Sequence, residues 1–159
     1  MDIRIIAVGR LKDKFFTDAF AEYQKRLSPF CKLGVEEIPQ EKLPELPSDK
    51  ETEKALDAEG EKILQKIPPG SFTVPLCIEG KQLTSEQFAK LISDKTNEGV
   101  GSLTFIIGGS CGLSEKVKKA GDFKLSMSVM TFPHRLARIM LAEQLYRAFM
   151  INSNRKYHK

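Results

Sequence analysis

The chain has 159 residues, a net charge of +4, 41% hydrophobic residues and three widely spaced cysteines, Cys31, Cys77 and Cys111. This length suits a single domain over residues 1–159, and the cysteine spacing excludes a disulfide framework and the common paired metal-ligand motifs. Because no apolar run approaches the roughly 18 residues of a membrane span and the first residues lack a secretory signal, we expect a cytoplasmic protein with no membrane partner and no metal.

The first half of the sequence alternates strand and helix patterns. Strands are predicted over residues 3–9 and 32–39, and helices over residues 15–27 and from the Ser48 capping box to about residue 67. The polar segment 39–47 contains three prolines, which oppose regular secondary structure. We expect this segment to be the most mobile part of the chain.

The second half continues the alternation. Strands are predicted over residues 72–80, 103–109 and 123–130, and helices over residues 85–99, 115–121 and 133–151. Pro75 has no backbone N–H to donate, so its strand is expected at a sheet edge or beside an irregular neighbour. Pro133 suits the first turn of the final helix.

This order of elements predicts an α/β fold with a mainly parallel sheet and helices on both faces, because the strands are almost continuously apolar. The final helix is apolar on nearly every side, with Leu136, Ile139 and Leu141 on different faces. A helix without a polar face must be covered all round. We therefore expect one side to pack on its own sheet and another on a second subunit, which predicts a homodimer.

The charge is concentrated at the C-terminus. Residues 133–159 carry six arginine or lysine side chains and one glutamate, whereas the other 132 residues sum to −1. Such a segment is suited to bind a polyanion, with nucleic acid as the leading candidate. A solvated basic helix end, favoured by the helix dipole, explains the same charges equally well.

Three loops are expected at the carboxyl ends of strands, over residues 76–80, 105–112 and 127–132. Loops at that edge of a parallel sheet commonly form one ligand pocket. Their methionine, valine and phenylalanine side chains and backbone groups suit a flat, partly apolar ligand such as adenosine. A tight strand-to-helix turn without a ligand accounts for the glycines about equally well.

Residues 108–112 also match the G-x-S-x-G pattern of a hydrolase nucleophile elbow, and Asp122 and His134 follow in hydrolase order. Asp122 is expected at the amino end of its strand, whereas Ser110 follows the carboxyl end of another. These edges are roughly 17 to 20 Å apart, which is too far for a triad. The spacing therefore disfavours a serine hydrolase.

The motifs "FIIGGSCG", "MTFPHRLARIMLAEQLYRAFMI" and "YHK", with "IIAVGRLK" and "AEYQKRLSPF", resemble the family of ribosomal RNA large subunit methyltransferase H, a SPOUT methyltransferase family, over essentially the whole chain. The resemblance implies a C-terminal trefoil knot, a homodimer and an S-adenosyl-L-methionine cofactor. It also implies methylation of ring nitrogen-3 of a pseudouridine, conventionally position 1915, in helix 69 of 23S rRNA within the 70S ribosome. The chain departs from the family pattern at Arg135 and in the "NSNRK" segment.

The resemblance implies cofactor contacts by eight residues: Leu76, Gly108, Met127, Ser128, Val129, Met130, Thr131 and Phe132. For the implied reaction, the candidates for proton transfer or charge stabilisation are His134, Arg147, Tyr157 and His158. The predicted RNA contacts are Arg135, Arg138, Arg155, Lys156 and Lys159. A capping or packing role for His134, and structural or dimer salt bridges for Arg138 and Arg147, remain open alternatives.

The terminal residues "YHK" offer little to bury, so we expect the tail to be unstructured when free. The family resemblance implies that RNA or the partner subunit orders it, in a composite site where one subunit supplies the cofactor pocket and the other supplies RNA-binding surface. A cofactor-binding RNA module or ribosome assembly factor without catalytic turnover is the alternative function.

Overall fold

The computed structural model describes residues 1–155 and 157. Five strands and five helices alternate along the chain. They are β1 (Asp2–Val8), α1 (Lys14–Leu27), β2 (Lys32–Ile38), α2 (Asp49–Leu64), β3 (Phe72–Gln82), α3 (Ser85–Asn97), β4 (Ser102–Ile107), α4 (Glu115–Ala120), β5 (Leu125–Ser126) and α5 (His134–Asn152). The predicted order of strands and helices is therefore confirmed.

The strands form one sheet in the order β2-β1-β4-β3-β5, and every neighbouring pair is parallel. Apolar side chains of β1 alternate between two cores: Ile3 and Ile5 pack with α1, α3 and α5, whereas Ile6 and Val8 pack with α2 and α4. A strand buried on both faces needs a continuous apolar run, which is what the sequence of β1 supplies. The predicted α/β fold with helices on both faces is confirmed. The strand order does not test the implied trefoil knot, which stays a prediction.

The fifth strand is much shorter than the predicted segment 123–130, because only Leu125 and Ser126 join the sheet. The Ser126 hydroxyl donates to the carbonyl of Ser128 (3.1 Å), and the Met130 N–H donates to the Ser128 hydroxyl (3.0 Å). These local side-chain bonds replace the ladder and form a turn. The predicted strand over residues 123–130 is therefore wrong except at Leu125 and Ser126.

Pro75 lies in β3, between β4 and β5, so the predicted edge position is wrong. The alternative, an irregular neighbour, is confirmed: the pairing of β3 with β5 shifts between Leu76 and Lys81. A Cβ atom on Gly121 would come within 2.3 Å of the Pro75 ring. The chain can therefore pass this proline only because residue 121 is glycine.

Helix α5 packs against α1 and α3, and Leu141, Ala142 and Leu145 are fully buried on its inner side. Of the large apolar side chains of α5, Leu136 is the most exposed, at 36%. Neighbouring helices of the same chain thus cover much of the apolar helix surface. The predicted homodimer stays a prediction. Within residues 1–155 and 157, no helix is long and apolar enough to span a bilayer.

Candidate functional site

A cleft of about 870 Å³ lies at the carboxyl end of β4, beside β5 and where β3 continues past its last pair with β4, Leu76 with Ile107. Three segments form most of its lining: residues 76–79, residues 107–113 and residues 126–134 without residue 129. The predicted meeting of these three segments in one pocket is therefore confirmed, although residues 76–80 lie within β3 and not in a loop after it. It follows from parallel pairing, which brings the carboxyl ends of these strands to the same edge of the sheet.

Seven of the eight predicted cofactor residues line this cleft. They are Leu76, Gly108, Met127, Ser128, Met130, Thr131 and Phe132. The eighth, Val129, does not line the cleft and is 78% exposed. The turn formed through the Ser128 hydroxyl explains this difference, since it carries residue 129 outward between two lining residues.

The glycine loop (residues 108–112) forms one wall of the cleft and is tightly closed on itself. The Gly112 N–H donates to the carbonyl of Gly109 (3.1 Å), and the two residues form an isolated bridge. Gly112 has a φ of +80°, which favours glycine. A Cβ on Gly108 would lie 2.4 Å from the Gly112 carbonyl oxygen. Residue 108 must therefore be glycine for the loop to keep this shape.

Apolar side chains form much of the cleft wall, among them Leu76, Ile107 and Phe132. Within the described residues, Lys118 is the one lysine or arginine that lines it. Its ammonium group contacts the carboxylates of Glu79 and Glu115, and the bond to Glu79 raises the pKa of Lys118. Because this charge is already neutralised, the cleft suits a flat, partly apolar ligand better than a multiply charged phosphate.

His134, the first residue of α5, lines the cleft beside the β1–α1 connection. A Cβ atom on Gly9 would lie 3.2 Å from the His134 Nε2 atom. Burial lowers the pKa of His134 below 6.5, and the nearby charges of Arg135 and Arg138 lower it further. The imidazole is therefore neutral at neutral pH and can accept a hydrogen bond or a proton.

Arg138 is not on an RNA-accessible surface of this chain, since it is only 2% exposed. Its guanidinium donates to the Glu37 carboxylate (2.6 Å) and to the Gly9 carbonyl (2.9 Å). We therefore correct the predicted RNA contact by Arg138 to a structural role, which was the open alternative. Arg135 remains partly exposed and pairs with Asp13 at 3.0 Å.

Arg147 and Tyr157 lie together near the other end of α5. The Arg147 guanidinium pairs with Glu143 and lies 4.9 Å from the centre of the Tyr157 ring, which packs edge-on against Tyr146. Burial raises the pKa of Tyr157, and the neighbouring Tyr23 and Glu143 groups raise it further. At about 1.5 Å per helical residue, Arg147 lies roughly 20 Å along the helix from His134. Arg147 and Tyr157 therefore do not reach the cleft of their own chain.

Of the remaining residues predicted to contact RNA or substrate from the tail, the structure describes Arg155. The Arg155 guanidinium lies 5.4 Å from the centre of the Phe30 ring. Lys156, His158 and Lys159 lie outside the described residues.

The hydrolase alternative finds no geometric support in the described chain. The Ser110 hydroxyl accepts a hydrogen bond from the Gln40 side chain (3.0 Å). Asp122 accepts a hydrogen bond from the backbone N–H of Thr73 (2.7 Å), near the amino end of β3. It therefore lies at the amino edge of the sheet, as predicted. Serine and aspartate therefore lie at opposite edges of the sheet, and each has a different partner.

Sequence reasoning missed Gln40, Glu79 and Lys118 as neighbours of the cleft. Glu79 was recoverable, because it is an acidic residue inside a loop already predicted to line the pocket. Lys118 lies on α4 and Gln40 follows β2, so their approach depends on tertiary packing that no local pattern reports.

Comparison with known proteins agrees with this geometry. The profile of the family described as "Predicted SPOUT methyltransferase" matches residues 1–158. The chain is 51% identical to ribosomal RNA large subunit methyltransferase H of Carboxydothermus hydrogenoformans and 50% identical to that of Lactobacillus acidophilus, over the full length of all three chains. The crystal structure of a probable methyltransferase from Bordetella pertussis Tohama I is similar in fold, with a TM-score of 0.53 at 11% identity over 92% of this chain and 95% of that chain.

Proposed function

Because the chain belongs to the ribosomal RNA large subunit methyltransferase H family of SPOUT methyltransferases, we propose that it methylates ring nitrogen-3 of pseudouridine 1915 in helix 69 of 23S rRNA. S-adenosyl-L-methionine is the proposed methyl donor and the assembled 70S ribosome the proposed substrate. Full-length identity of about half to relatives named as rRNA methyltransferases supports the reaction class. The cleft at the carboxyl edge of the sheet supports the choice of donor.

The cleft is the observation that carries the proposal. The missing Cβ at Gly108 lets the glycine loop close against Gly112 to form one wall of the cleft, and the apolar residues Leu76 and Phe132 suit the faces of an adenine ring. Lys118 is neutralised by carboxylates, which suits a donor without phosphate groups. These residues fit the proposed cofactor, and Met127, Ser128, Met130 and Thr131 would complete its site.

When bound, S-adenosyl-L-methionine supplies an electrophilic methyl group. The protein must then hold the imide nitrogen in line with that group and help the nitrogen lose its proton. His134 lies in the cleft with a lowered pKa, so its neutral imidazole can accept this proton directly or through water. His158 is the second proposed proton acceptor, and Arg147 or Lys159 would stabilise the developing negative charge.

A homodimer would reconcile the cleft with the distant tail. Arg147 and Tyr157 lie roughly 20 Å along α5 from His134, which is too far for both ends to act on one base within a single chain. This distance is no obstacle if the tail of one subunit acts at the cleft of a second copy. We therefore propose a single-domain homodimer with composite sites, in which Tyr157 to Lys159 of one subunit act at the partner's cleft.

Methyl incorporation from labelled S-adenosyl-L-methionine into 70S ribosomes tests the reaction. The ribosomes should come from cells that lack this protein, so that the target is unmethylated. We expect incorporation into 23S rRNA by the wild-type protein and none with a Gly108→Val variant, whose larger side chain has no room beside Gly112. Cofactor and ribosome binding without incorporation would instead favour the non-catalytic RNA-binding or assembly factor.

Mixed dimers test the composite site separately. A Gly108→Val subunit has a blocked cleft but retains its tail, and a subunit that lacks residues 157–159 retains its cleft. If tails act in the partner's site, equal co-expression of the two inactive chains should restore about a quarter of wild-type activity, because half of the dimers are mixed and each has one complete site. No restoration would show that the tail acts within its own chain.

A further inference from the structure

The β1–α1 loop (residues 9–13) is held at both ends by arginines of α5. Arg138 donates to the carbonyl of Gly9 (2.9 Å), and Arg135 pairs with the carboxylate of Asp13 (3.0 Å). Between these anchors the Leu11 N–H donates to Glu37 (3.2 Å), and its side chain packs on the core. The loop is therefore fixed by bonds at three of its five residues.

Two cations lie between the anchors on this fixed loop. Arg10 and Lys12 flank the half-buried Leu11, and both are exposed. Neither forms an ion pair with a carboxylate in the part of the chain that the structure describes. By contrast, Lys14 just beyond the loop pairs with Asp18 at 2.5 Å. Because the backbone of this loop is already fixed, an anion that binds Arg10 and Lys12 has to order only their side chains.

The loop borders the cleft. Strand β1 lies beside β4, so the carboxyl end of β1 adjoins the glycine loop that follows β4. At this edge a Cβ on Gly9 would lie 3.2 Å from the Nε2 atom of His134, which lines the cleft. The Gln40 side chain bridges the same region by donating to Ser110. An RNA strand that delivers a base to the cleft would therefore pass close to the β1–α1 loop.

We propose that Arg10 and Lys12 form a phosphate-binding surface for the RNA next to the target nucleotide, an assignment that rests on the proposed rRNA methyl transfer. Fixed cations are suited to position an RNA backbone without reading its sequence. This surface belongs to the same chain as the cleft, whereas the basic tail is proposed to act at the partner's cleft. The buried Arg138 acts as a positioning residue because it anchors the loop from behind.

The test measures how salt weakens ribosome binding. Each phosphate contact steepens the fall of log affinity with log salt concentration by about 0.7 to 0.9. A fourfold rise in salt concentration therefore lowers the affinity roughly threefold for each contact. Co-sedimentation with 70S ribosomes should therefore show, for the double variant Arg10→Ala with Lys12→Ala, a slope shallower by roughly 1.5. Its affinity for S-adenosyl-L-methionine should equal that of the wild type.

The matched control is Lys25→Ala with Lys32→Ala, which removes the same charge. Lys25 lies in the last turn of α1 and Lys32 begins β2, at the opposite edge of the sheet and roughly 20 Å from the loop. We expect the control to keep the wild-type slope. An unchanged slope in the Arg10 and Lys12 variant, or an equal change in the control, would overturn the proposed surface. Wild-type protein that binds ribosomes but transfers no methyl would instead overturn the proposed function.

Discussion

Replacing Gly108 even by alanine should distort the glycine loop and weaken cofactor binding. The added Cβ would lie 2.4 Å from the carbonyl oxygen of Gly112 and 2.5 Å from its carbonyl carbon, whereas real Cβ contacts stay beyond 3.0 Å. The backbone at Gly112 must therefore move by roughly 0.6 to 1 Å, and it is tied by its bond to Gly109. Such overpacking typically costs about 1 to 3 kcal/mol.

The affected loop is the cleft wall, so the cost should appear in ligand binding. At 1.4 kcal/mol per factor of ten, Gly108→Ala should weaken S-adenosyl-L-methionine binding by roughly 5- to 150-fold. Isothermal titration calorimetry of the wild type and variant measures this directly. Circular dichroism establishes that the variant is folded.

Gly101→Ala is the control for this prediction. Gly101 precedes β4 at the other end of the same strand, and a Cβ there would meet nothing within 4 Å. We expect this variant to bind the cofactor like the wild type. If Gly108→Ala also bound it with unchanged affinity, the glycine loop would not be part of the cofactor site.

Three further predictions concern the tail and two titrating groups. Deletion of residues 157–159 should leave S-adenosyl-L-methionine affinity nearly intact in calorimetry but abolish methyl transfer to ribosomes; full activity would refute a role for the tail. The pKa of His134, followed by NMR, should lie below 6.5 and rise in Arg135→Gln, because burial and then the arginine charge disfavour the imidazolium; a midpoint above 6.5 would contradict this. Burial raises the pKa of Glu59 above 4.5 although its carboxylate accepts the Glu41 N–H. The folded state thus binds the proton more tightly, so the wild type should lose stability relative to Glu59→Gln as pH rises through and above 4.5; parallel urea-unfolding curves across this range would refute the assignment.

The sequence was sufficient to predict β1 and the meeting of the cleft loops, because both follow from local patterns. Buried parallel strands require continuous apolar runs, and parallel pairing brings their carboxyl ends to one edge. The capping box at Ser48 likewise marks a helix start that the structure confirms, since both of its side-chain bonds form.

Other features depend on contacts that the sequence pattern does not encode. The segment after Ser126 has an apolar, strand-like composition, but the Ser128 hydroxyl bonds to the backbone and turns it out of the sheet. Arg138 looked like a surface cation because arginines are mostly exposed. Its burial depends on Glu37 and Gly9, which are distant in sequence and approach it only in the folded chain.

Mass mapping of 23S rRNA from cells that lack this protein tests the central proposal most directly. We expect the helix 69 pseudouridine to lose one methyl group in these cells and to regain it when the wild-type gene, but not the Gly108→Val variant, is restored. A helix 69 pseudouridine that stays methylated without the protein would contradict the assignment.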